Sequence, residues 1–184
     1  MSDLTREELL DRYRRGESFR GMDLSGIDLS YEHLKGANFE QADLSNAHLQ
    51  NANLEGANFT RANLTGVFLF GANLMGAQFD EANLSDANLQ DTNLEKASFR
   101  AANLTHAKLF GIHALNADFQ AATIIAGRLK RAKLIGANFN RADLSQAHLE
   151  RSDLTNANLD QAKLIGAFLN DACLDGASMV GAIR

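Results

Sequence analysis

The chain contains no proline and no tryptophan, one cysteine and two tyrosines among 184 residues. A single thiol cannot close an internal disulfide, so the fold needs no oxidising compartment. No run approaches the roughly 20 apolar residues that cross a bilayer, which argues against a membrane-spanning helix and a membrane partner. Residues 1–16 are polar and charged and lack the apolar stretch of a secretory leader, so the sequence reads as a cytoplasmic protein. The net charge of −5 is too small and of the wrong sign for a protein built around nucleic acid.

A strict repeat is what the chain does have. From Phe19 to Met179 every fifth residue is large and apolar, 33 positions in unbroken phase, with Ala114 alone small. Two residues before these centres stands alanine in 24 of the 33 cases, and the residue just before is often Asn or Asp, as at Asn53, Asn58 and Asp143. Five-residue spacing fits neither a helix nor a strand: successive centres would step about 140° around a helix and scatter over every face. Each pentad must instead be one small structural step that buries its apolar residue against its neighbours.

A longer period lies inside the first. Phenylalanine occupies centres 19, 39, 59, 79, 99, 119 and 139 and no other centre. Seven residues in one of four equal phases would arise by chance about once in four thousand, so four pentads make one turn. Twenty residues then close a square coil, and residue n lies beside n ± 20. Stacked at about 4.8 Å, about eight coils form a rod about 40 Å long. The large centre and the small alanine both point into the narrow tube. The Asn, Ser and Thr columns, such as Asn63, Asn83 and Asn103, are read as stacked side chains that satisfy one another and the backbone.

The run Ala-Asn-Leu-Glu-Gly-Ala-Asn-Phe-Thr-Arg-Ala-Asn-Leu-Thr-Gly at residues 52–66 resembles the consensus of the pentapeptide-repeat family, abundant in cyanobacteria, and the resemblance covers residues 17–182. It implies an all-β solenoid, the right-handed quadrilateral β-helix. Some members of that family imitate duplex DNA and act on type II topoisomerases. That mechanism requires an acidic stripe, whereas here Glu40, Asp80 and Asp118, Asp23, Asp43 and Asp143, Asp91 and Asp171, and Glu55 and Asp153 are spread over all four walls. The unbroken phase also leaves no room for the projecting loops of the quinolone-resistance members.

The two ends differ. Thr5 with Glu8 resembles a capping box, Leu9, Leu10 and Tyr13 share a face, and Gly16 is a stop, so residues 1–16 read as a helical cap on a β-helix of residues 17–184. Residues after Cys173 stay in repeat register without a helix, which leaves Met179, Val180 and Ile183 to be covered by self-association in a two-fold dimer.

The contact rule argues against an enzyme and assigns no catalytic residue, metal or cofactor. His48 and His148 share a wall but stand five coils, about 24 Å, apart, beyond any shared zinc. His33 and His113 are four coils apart and His106 is alone. Asp28 beside His48 is read as an exposed ion pair, and Cys173 stacks on Asp153, with no histidine to activate it. The glycines, such as Gly66, Gly71 and Gly76, follow pentad corners and form no phosphate loop.

Departures from the repeat gather on the wall with centres 29, 49, 69, 89, 109, 129, 149 and 169. Its outward residues include Phe68, Phe70, Phe110, Phe168, Lys108, Arg128, Lys130 and Arg131, and the adjoining wall adds Met75, Leu115, Lys133 and Ile135. All four phenylalanines outside the centres lie here. Leu115 beside a small Ala114, followed by Thr123, Ile125 and Gly127, predicts a bulge or displaced corner near 112–128. Lys130 is expected to pair with Glu150, its neighbour in the stack. The expected function is a rigid, non-enzymatic scaffold that binds a protein partner through this aromatic and basic wall. DNA mimicry, and nucleic-acid contact through Lys108, Arg128, Lys130, Arg131 and Lys133, are the alternatives.

Overall fold

The computed structural model describes residues 4–184. One helix, α1 (Arg6–Arg14), opens it. Thr5 is its N-cap: its hydroxyl accepts the Glu8 amide at 3.3 Å, and its own amide donates to the Glu8 carboxylate at 2.8 Å. Acidic residues stand in the first turn and arginines in the last, each at the pole of the helix dipole that attracts it. Gly16 follows at φ +74°, where the helix ends. Leu9 is fully buried, and Leu4, Leu10 and Tyr13 lie against the same core. The Tyr13 hydroxyl donates to the Lys35 carbonyl at 2.9 Å, and Arg6 pairs with Glu32, so the helix is fastened over the mouth of the first coil.

Every bridge in the rest of the chain joins a residue to the one twenty further on, in parallel, from Asp23 with Asp43 to Lys163 with Ile183. From Phe19 to Leu164 the amide of each centre donates to the next coil, as Phe39 does to Asn58 at 2.7 Å. The amide just before a centre donates to the previous coil, as Asp43 does to Met22 at 2.9 Å. Between walls the chain turns through four residues, closed by a bond such as Ala42 amide to Phe39 carbonyl at 3.0 Å. The second residue past each centre takes φ between +53° and +71°, the positive value a type II turn requires at its third residue. Twenty-one of these corners are not glycine.

Centres and small residues fill the tube. The seven stacked phenylalanines run up one wall with ring centroids from 4.7 to 5.3 Å apart and planes within 23° of parallel. Thr92 and Ser152 replace buried alanines, and each hydroxyl donates at 2.7 Å to a carbonyl of its own turn, Leu89 and Leu149. Outside, the asparagine columns are hydrogen-bonded in part as ladders: Asn103 donates to Asn83 at 3.1 Å and Asn93 to Asn73 at 3.1 Å, whereas Asn83 donates to the Thr65 hydroxyl at 2.9 Å and not to Asn63.

No bulge interrupts residues 112–128. His113 bridges Asn93 and Lys133, and the corners at Gly111, Asn116, Ala121 and Ala126 keep their positive φ. The small Ala114 at the centre is matched by Ile112 at the small position, both fully buried. The two residues have exchanged sizes, so the wall keeps its volume and the chain keeps its path. Leu115 points outward and is half-buried.

Beyond Leu164 the filling loosens: Leu169, Leu174 and Met179 are only partly buried, whereas every earlier centre is enclosed. Val180 and Ile183 are 73% and 52% exposed.

Candidate functional site

The square coil places the odd outward residues of the wall with centres 29 to 169, the third wall counted from Phe19, in two adjacent columns. Bridges stack Asp28, His48, Phe68, Asn88, Lys108, Arg128, His148 and Phe168 in order. Two residues on, past each buried leucine, runs the column of Gln50, Phe70, Gln90, Phe110, Lys130 and Glu150. Residues forty or more apart in sequence therefore share one flat surface.

Exposure divides the sequence-predicted residues. Phe68, Phe70 and Phe168 are 38%, 42% and 46% exposed. Phe110 is half-buried, with the Arg131 guanidinium 5.8 Å from its ring centroid, a cation–π contact. Met75, Leu115 and Ile135 on the adjoining wall are also half-buried, so they line the corner and do not project from it. Lys108, Arg128, Lys130, Arg131 and Lys133 are all exposed.

Ion pairing distinguishes these cations from the others. Among the described residues the remaining lysines and arginines reach a carboxylate within 4.0 Å, as Arg61 does Glu81 at 2.9 Å and Lys35 does Glu55 at 2.9 Å, except Arg141 and Arg184. Those two bond the Gln161 side-chain oxygen at 2.9 Å and the Met179 sulfur at 3.0 Å. The expected Lys130–Glu150 pair is not formed. Glu150 is instead taken by His148, two residues before it in the adjacent column, whose Nδ1 lies 3.3 Å from Oε1. Burial pushes the Glu150 carboxyl up, but its own backbone amide, His148 and the nearby Lys130 together hold it below its ordinary value. Its second oxygen, Oε2, is buried and has no donor among the described residues. Gln90, Phe110, Arg128, Lys130, His148 and Glu150 line an open surface depression of about 390 Å³. Gln90 was not singled out from the sequence, and His148 and Glu150 entered there only as a rejected zinc ligand and as the partner of Lys130, although the twenty-residue rule puts all three in the columns of Phe110 and Arg128.

The expected Asp28–His48 ion pair is also absent. Asp28 accepts the Ser30 amide at 3.0 Å, while His48 stacks on Phe68 with centroids 4.8 Å apart and meets the Gln50 side chain at 3.3 Å. His148 stacks on Phe168 in the same way at 4.5 Å. Cys173 is half-buried and bridges Asp153, with the Thr155 hydroxyl 3.4 Å from its sulfur. Among the described residues no three His, Cys, Asp or Glu side chains gather as a metal site would need, and no helix is long and apolar enough to cross a membrane.

Among solved structures, HetL, a pentapeptide repeat protein involved in heterocyst differentiation regulation from the cyanobacterium Nostoc sp. strain PCC 7120, is 30% identical over 97% of this chain and 96% of its own, with a TM-score of 0.42. The pentapeptide repeat protein alr5209 from Nostoc PCC 7120 is 37% identical over 54% of this chain and 80% of its own, with a TM-score of 0.50. A trypsin-treated form of QnrB1, a plasmid-mediated fluoroquinolone resistance protein, is 16% identical over 88% of this chain and 86% of its own, with a TM-score of 0.68, a likeness of fold alone. The comparison with curated proteins returned no match. The fold is the right-handed quadrilateral β-helix. The family model for pentapeptide repeats matches in eight copies over residues 37–76, 77–113, 116–151 and 142–181, and with that span the chain belongs to the pentapeptide-repeat family.

Proposed function

We propose that this protein is a rigid, non-enzymatic rod that binds a protein partner through its third wall. The observation that carries the reading is the coincidence on one wall of four outward phenylalanines with a cluster of cations that reach no carboxylate within 4.0 Å. Elsewhere the outward columns are built chiefly of hydrogen-bonded Asn, Ser and Asp side chains, with Tyr31 and Ile165 as isolated exposed apolar residues. Exposed aromatics beside unpaired arginine and lysine are the composition of an interface centre. The family as a whole is generally structural or binding in character. DNA mimicry fits less well, because Glu40, Glu55, Glu81, Asp118 and Asp143 are each engaged by a cation and are not free to present a continuous acidic stripe.

The test is a pull-down from cells of the source organism with three proteins: the natural chain, Phe68→Ala/Phe70→Ala, and Phe110→Ala/Lys130→Glu. Both double variants should melt with the natural protein, because none of the changed side chains belongs to the buried core, and both should lose the partner. A partner retained by both variants at unchanged stability would refute the third wall as the interface.

A further inference from the structure

We propose that the depression around Phe110 docks an acidic peptide segment of that partner, with Asp or Glu side chains on Arg128 and Lys130 and an apolar or aromatic side chain on the Phe110 ring. This inference rests on the third wall being the interaction face, and it assigns the chemistry of what binds there.

The charge comes first. The five cations without a carboxylate or other side-chain hydrogen bond, Lys108, Arg128, Lys130, Arg131 and Lys133, all lie within two coils, on a protein whose net charge is −5. Lys108 and Arg128 are bridge partners, one directly above the other. Like charges at that spacing repel unless an anion lies between them, so an acidic ligand gains both pairing and relief.

The shape of the cluster excludes a track. It is about 5 Å tall along the rod, one coil spacing. In the same two columns the coil below offers Asn88 and Gln90, and the coil above offers His148 and Glu150. A single-stranded nucleic acid needs cations to follow its backbone for several nucleotides. Here the positive charge begins and ends within one step.

Glu150, whose Oε2 is buried, stands at the edge of the depression and ends the positive cluster on that side. Phe110, half-buried and backed by Arg131, supplies an apolar floor between the two polar rims. At Lys108 and Arg128 docking is through side chains, because their backbone amides and carbonyls are already used between coils.

The probes are a fluorescently labelled random copolymer of Glu and Tyr, labelled poly-L-glutamate, and a labelled oligothymidylate of equal charge, each titrated by anisotropy. The natural protein should bind the copolymer at least about tenfold more tightly than the oligothymidylate, with affinity falling as salt rises. Arg128→Glu/Lys130→Glu should weaken copolymer binding by about tenfold or more, and Arg128→Gln/Lys130→Gln by less in the same direction. Phe110→Ala should erase the preference for copolymer over polyglutamate. Arg141→Glu, a cation on another wall, should change nothing. Equal or tighter binding of oligothymidylate would overturn the proposal in favour of nucleic acid. Equal loss in Arg141→Glu would reduce the effect to diffuse attraction, and absence of copolymer binding would reject an acidic partner. None of these outcomes touches the pull-down with Phe68→Ala/Phe70→Ala, so failure of the ligand class and failure of the wall are separate results.

Discussion

Gly127 stands at the small inward position where the repeat ordinarily places alanine, and its φ is not in the left-handed region, so its role is space. A Cβ built there would lie 2.6 Å from Cγ2 of Ile124 and 3.1 Å from the Ile124 carbonyl. The β-branch of Ile124, a centre that is leucine in most coils, occupies the volume an alanine methyl would need. Gly127→Ala should therefore destabilise by about 1–3 kcal/mol. In an Ile124→Leu background the branch is gone and most of that loss should vanish, a coupling read from the melting temperatures of the four proteins in the cycle. Corner residues behave differently. Ala101 holds φ +53° without needing a side chain, a backbone state that costs an L-residue about 1–2 kcal/mol. Ala101→Gly should raise stability by about 0.5–1 kcal/mol after the extra entropy of glycine in the unfolded chain is subtracted, and an unchanged or lower melting temperature would contradict this.

At the level of the element, the phenylalanine column and the helical cap carry distinct loads. Phe79 has rings at 4.9 Å and 4.7 Å on its two sides, so Phe79→Ala opens a cavity and breaks two stacks. The expected cost is about 3–5 kcal/mol. Phe79→Leu should cost clearly less, because the same column accepts Leu159 at its far end. A thermal melt with the two variants level would remove the stack as a stabilising element. The cap is pH-sensitive through Glu8, whose carboxyl is held below its ordinary value by the Thr5 backbone amide first and the Thr5 hydroxyl second. A lowered folded value means that the carboxylate stabilises the helix fully above the ordinary range near pH 4.3, and that this is lost as pH falls through the lowered value. Protection of the Arg15 and Gly16 amides against hydrogen exchange, corrected for intrinsic rates, should drop on acidification. Glu8→Gln keeps an acceptor without a titrating group, and should flatten that dependence.

The whole molecule is a one-dimensional stack, so its ends are its weak points. One end is closed by α1. In the last described coil Leu169, Leu174 and Met179 are half-buried and Val180 and Ile183 are exposed, and we propose that a second copy stacks there about a two-fold axis. Sedimentation velocity should show a dimer that Val180→Asp/Ile183→Asp converts to monomer. A natural protein that sediments as a monomer at high concentration would refute it. The dimer end and the third wall are separate surfaces, so loss of one should leave the other intact.

The sequence by itself determined the coil: its period of twenty, the inward pair of one large and one small residue, the phenylalanine column and the wall on which the exceptions gather. It could do so because burial is repeated in every coil, and a constraint imposed 33 times leaves an unmistakable pattern. The tertiary structure alone decided the rest. Ile112 and Ala114 look like a break in the repeat until both are seen inside the same wall, where only their summed volume matters. Glu150 had Lys130 and His148 as neighbours of nearly equal standing, and small differences in reach gave it to His148, leaving Lys130 unneutralised and Oε2 without a donor. Such choices among surface partners differ by a fraction of the energy that packs the core, so they write no period into the chain.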